Sequence, residues 1–175
     1  MSISPPDSHP SSTRTHAPPV DMASFLVERR TIVLGAANEE ISRAHLQHYD
    51  RVGASVTADR LATLLDLLVS CCRDHQLGAA RDYADSLAAE RTGNGYPLNE
   101  VQTAANVLEE AVWATITSDL PAEVHGYALG LVSTILGAVK DRLACAYVAT
   151  VSSEPVRTLN LEYLFSGSDA AAGSA

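Results

Sequence analysis

The sequence predicts an all-α fold of about five helices, on three observations. Apolar residues recur at three- and four-residue spacing through nearly every segment between Asp21 and Val151. The breaks between those segments, Gly93-Asn94-Gly95 and Pro121, are of the kind that end and start helices. No β-sheet of consequence is expected. With 175 residues the chain can bury a single core without disulfides or a metal.

Residues 1–20 are rich in Pro and Ser, lack apolar periodicity and are expected to form a disordered tail. Asp21 can cap a first helix carrying Phe25, Leu26, Ile32, Val33, Ile41 and Leu46, with Gly35 as the place where it would bend and Gly53 as its end. Thr57 can cap a second helix, the strongest pattern in the chain, with Leu61, Leu64, Leu65, Leu68 and Cys72 on one face. A third helix from Leu77 to Glu90 turns Ala80, Tyr83, Ala84 and Leu87 inward. The fourth, Leu98 to Ser118, follows Pro97 and presents a stripe of small residues that permits close helix approach. The fifth, Ala122 to Val151, has two apolar stripes, one through Ala128, Leu131 and Ile135, the other through Leu129, Val132, Leu136 and Val139. Pro155 to Phe165 fits a short helix or an extended arm. Residues 21–165 thus form one domain, and 166–175 a second disordered tail.

A formal charge of −9 and a single lysine, Lys140, argue against nucleic acid, which requires a basic stripe. The arginines are mostly accompanied by acids and read as a solvated surface. Cys71, Cys72 and Cys145 are an odd set with no secretory signal ahead of them, so a reduced, cytoplasmic protein is expected. Apolar stretches are interrupted by Asp, Arg, Ser or Gly, and no membrane association is expected.

Residues able to carry chemistry are few. His45 and His48 lie three apart on the first helix and, with His125, are the candidates for a metal or haem iron. A helical His pair without a third ligand motif is more simply two histidines near a helix end, so no cofactor is expected. Cys71 and Cys72 point about 100° apart on a helix and suit core packing. Glu109 and Glu110, as neighbours, fall on different faces and make a poor acid and base pair. The Thr92-Gly93-Asn94-Gly95 turn lacks the strand and the Lys of a phosphate loop. Trp113, the only tryptophan, is the candidate for lining a ligand pocket, with Leu65 and Leu108 behind it.

The run from Glu90-Arg91 through Gly95-Tyr96-Pro97-Leu98 to Glu100-Val101, with the leucine-rich helix before it and the Trp113 helix after it, resembles the N-terminal sensor domain of stressosome co-antagonist proteins of the RsbR and RsbRD type. The likeness covers residues 22–151. It implies a globin-like helical bundle, generally without haem, that dimerises and signals to an output domain. In those proteins a STAS domain follows, for which too few residues remain after Val151, so the output is expected to come from another chain.

The expected function is a non-enzymatic signalling module in stress response, a homodimeric helical sensor acting through a small apolar ligand or a regulatory protein partner. The alternative is a haem- or metal-binding globin-like sensor. The dimer is expected on the fifth helix through Leu129, Val132 and Val139, because a second apolar stripe would otherwise remain in water.

Overall fold

The computed structural model describes residues 20–44, 54–93 and 98–151, and these form six α-helices without a strand. They are α1 (Met22–Glu28), α2 (Arg30–Arg43), α3 (Ala54–Asp74), α4 (Gly78–Gly93), α5 (Leu98–Asp119) and α6 (Ala122–Val151). The expectations for residues 1–19, His45, Leu46, His48 and the segment beyond Val151 lie outside the described residues. Val20, assigned to the tail, is half-buried against the core.

Asp21 caps α1 as its position predicts, accepting from the Ser24 amide at 3.1 Å and from its hydroxyl at 2.7 Å. These bonds hold the Asp21 carboxyl below its ordinary range. The first predicted helix is in fact two, and the break is at Arg29 instead of Gly35, which sits exposed inside α2. Arg29 (φ −96°, ψ 5°) donates its amide to the Phe25 carbonyl at 3.1 Å and accepts from the Val33 amide at 3.0 Å. One residue thus ends α1 and begins α2. Its guanidinium is held over the Phe25 ring and bonds Asp119 at the end of α5 at 2.6 Å. Beyond the break Val33, Ala37 and Ile41 turn inward at four-residue spacing, and Ile32, expected on that stripe, is exposed.

α3 begins at Ala54, so Thr57 is a buried residue within the helix and not its cap. All five of its predicted inward residues are buried, together with Val69 and Cys71. The helix stops at His75, whose amide still donates to the Cys71 carbonyl and whose left-handed φ of 52° turns the chain out of the helix. α3 packs against every other helix of the described set. α5 lies against α2, α3 and α6.

The two stripes of α6 both meet helices of the same chain. Ala128, Val132, Ile135 and Leu136 are fully buried, Val139 is 2 % exposed and Leu129 half-buried. A helix packed against α3, α4 and α5 at once needs apolar residues on two sides. The premise that Val132 and Val139 await a second copy is therefore corrected, because neither reaches the surface. By length and composition alone α6 is also apolar enough to cross a membrane. Its contacts are those of a core helix, and Lys140, Asp141 and Arg142 interrupt its second half with three successive charges.

Replacing Val132 with Glu should therefore strongly destabilise the protomer itself instead of only splitting a dimer. An unpartnered carboxylate at a fully buried site costs about 3 kcal/mol or more, a large share of the stability of a small domain. Circular dichroism with urea titration checks this, and a variant as stable as wild type would contradict the assignment of Val132 to the core.

Candidate functional site

Four helices converge on a cleft with an empty volume of ≈ 470 Å³, part of it open to solvent. Its walls come from four-residue ladders, Tyr83, Leu87 and Arg91 on α4, Val101 and Ala105 on α5, and Val139 and Leu143 on α6, with Leu61 and Leu64 from α3 opposite. The space exists because Ala104 and Ala105 on α5 are too short to fill it. The cleft has room for about two water-sized groups clear of its walls.

Three cationic side chains, Arg60, Arg91 and Lys140, line this apolar space, and among the described residues no carboxylate, histidine or thiol does. Arg91 is the largest of the fully buried side chains, 1 % exposed. Glu90 on α4 lies behind the two arginines, one carboxylate oxygen being 3.2 Å from Arg60 Nη2 and 3.9 Å from Arg91 Nε. Lys140 Nζ donates to Glu109 Oε2 at 2.6 Å and to Asn106 Oδ1 at 3.1 Å, joining α6 to α5. Burial pushes the Tyr83 phenol up, and the nearby positive charge of Arg91 draws it the other way. The Tyr147 phenol is likewise raised by burial and lowered by Arg91. The guanidinium thus acts on two phenols from inside the bundle.

The cleft between α3, α4, α5 and α6 is not the pocket predicted around Trp113. Leu65 and Leu108 are buried in the core, Trp113 stands 40 % exposed, and none of the three lines the cleft. Trp113 follows Val112, a fully buried residue, by one position and so points about 100° away from the interior. His125 Nε2 donates to the Leu120 carbonyl oxygen at 2.8 Å and fastens the connection between α5 and α6. His45 and His48 lie outside the described residues. Among those described, no group of three His, Cys, Asp or Glu side chains is placed to hold a metal ion. Glu109 is buried on Lys140 while Glu110 is exposed, as their adjacency requires.

What sequence reasoning missed is the arginine. Tyr83 and Leu87 form an inward stripe whose next member at four-residue spacing is Arg91, and a charged residue at the end of an inward stripe is the signal that marks the cleft. No protein-family model, curated protein or solved structure matches this chain.

The cysteines are free and buried. Burial pushes Cys72 from its ordinary 9.0 up to about 12, and raises Cys71 and Cys145 as well. A group whose folded pKa exceeds its unfolded one contributes stability that is complete below the unfolded pKa and is lost as pH rises through the folded one. Folding stability should therefore decline between pH 9.0 and about 12. The loss due to Cys72 should be on the order of a few kcal/mol. Urea titrations across that range check it, and Cys72→Ala should flatten the decline. An equally steep decline in that variant would count against the assignment.

Proposed function

We propose that the chain is a non-enzymatic regulatory module that binds a small, largely apolar ligand in the cleft between α3, α4, α5 and α6 and passes its occupancy to a protein partner. The observation that carries this reading is the cleft itself, an apolar space among four helices with a few polar groups converging on it. A catalytic role is not favoured, since the lining offers, among the described residues, no carboxylate, histidine or thiol to take and return a proton at neutral pH. The motif likened above to the sensor domains of stressosome co-antagonists supports a signalling role, because Arg91 and Val101 of that motif stand in the lining. A globin-like bundle is the fold that this likeness implies. Free, buried thiols accord with a cytoplasmic setting. Association with a second copy, if it is part of the signal, would draw on exposed side chains such as Trp113 and Tyr127 in place of Val132 and Val139.

An uncharged, environment-sensitive naphthylamine dye should bind the intact chain in a single saturable phase. Ala104→Phe, at a half-buried position of the lining, should weaken that binding by about tenfold or more while leaving helicity unchanged, because the ring occupies the empty space. Fluorescence titration measures both, and a dye that does not bind, or binds the variant equally, would remove the cleft as the site.

A further inference from the structure

Resting on that reading, we infer that the cleft receives an uncharged ligand, a single ring or short chain bearing one hydroxyl or carbonyl oxygen, and that the Tyr83 hydroxyl bonds this oxygen. The walls are leucine, valine and alanine side chains from four helices, and most of the polar groups set among them are already engaged. Lys140 holds Glu109 at 2.6 Å and Asn106 at 3.1 Å. Arg60 is 3.2 Å from Glu90, whose same oxygen lies 3.9 Å from Arg91. These cations serve the contacts between helices. A ligand anion would have to share them with carboxylates they already meet, and a ligand cation would be set beside like charges. Either would also exchange its water for an apolar surrounding without a partner of its own.

Tyr83 and Gln102 are the uncharged polar side chains of the lining, and among the described residues neither has a hydrogen-bond partner. Tyr83 is the better placed of the two. It opens the ladder of α4 that forms one wall, and its ring is packed against the core. Burial pushes its phenol up, so at neutral pH the hydroxyl is protonated and can donate as well as accept. Gln102 follows the buried Val101 by one position, is turned about 100° from it and stands at the margin of the wall. One fixed hydroxyl in an apolar space is the arrangement that orients a mostly apolar ligand. The clear space, about two water-sized groups, limits that ligand to a slender body.

The test titrates the intact chain calorimetrically with p-cresol, with toluene, which lacks the hydroxyl, and with p-toluate, which is anionic at neutral pH. p-Cresol should bind saturably, and p-toluate about tenfold or more weakly. Tyr83→Phe removes the hydroxyl and keeps the ring. It should weaken p-cresol about fivefold or more, because the ligand's own hydroxyl is then left unmet, while toluene binds variant and wild type alike. The melting temperature of the ligand-free variant should not fall, since the hydroxyl has no partner in the fold to lose. Gln102→Leu, the second variant, should change p-cresol binding less than Tyr83→Phe does. Undiminished p-cresol binding in Tyr83→Phe, a larger loss in Gln102→Leu, a lowered melting temperature in ligand-free Tyr83→Phe, or p-toluate binding as tightly as p-cresol would overturn the inference. If the naphthylamine dye binds and p-cresol does not, the assignment to Tyr83 fails and the apolar cleft stands. If neither binds, both fail.

Discussion

The burial of α3 is the constraint on which the remaining structure depends. Every other described helix packs against it, and Leu61, Leu65 and Leu68 are within 2 % of complete burial. Each such leucine contributes about 1.5 to 3 kcal/mol by leaving water, so the helix that contacts all others also supplies a large part of the driving force. The consequence reaches the cleft. Leu64, one turn from Leu61 and Leu68, forms part of the cleft's wall, so the floor of the site and the centre of the core belong to one rigid element.

Ion pairs between helices fix how the outer elements lie on that centre. Arg29 joins the break before α2 to the end of α5, Arg30 joins α2 to Asp66 on α3, and Arg60 joins α3 to Glu90 on α4. Arg142 grips Asp85 with two bonds of 2.6 and 2.8 Å, fastening α6 to α4. Each is partly exposed and worth little by itself. Their effect is on geometry, since every pair spans two helices and specifies a relative placement that apolar contacts alone leave loose. Four of the arginines that read as a solvated surface, Arg29, Arg30, Arg60 and Arg142, are these straps.

The sequence reveals a helix where its signal is local and is silent where the deciding partner is remote. Asp21 with Ser24, the leucine face of α3 and the span of α6 between Pro121 and Val151 are set by neighbours in the chain, and the structure has them as expected. The break at Arg29 could not be read this way, because what marks Arg29 is Asp119, ninety residues on. Gly35 was the local suspect, and a lone glycine costs a helix only about 1 kcal/mol, too little to break one that is packed. The double stripe of α6 was legible as a need for two partners, but periodicity does not say whether a partner is in the same chain. The cleft was misplaced for a related reason. Trp113 stands out by size, whereas space is made by small residues, and periodicity presents Ala104 and Ala105 only as part of the small-residue stripe of the fourth predicted helix.

The straps and the site share atoms, which bears on how occupancy could be felt outside the cleft. Arg60 and Arg91 both face the empty space and both stand beside the same carboxylate oxygen of Glu90. The α3–α4 contact made by Arg60 and Glu90 therefore borders the cleft, while α4 is held to α6 by Asp85 and Arg142, which are outside its lining. A ligand moves an equilibrium between helix arrangements only by the difference in its affinity for them, and the α3–α4 contact is where such a difference can arise, because Arg60 belongs both to the ion pair and to the lining.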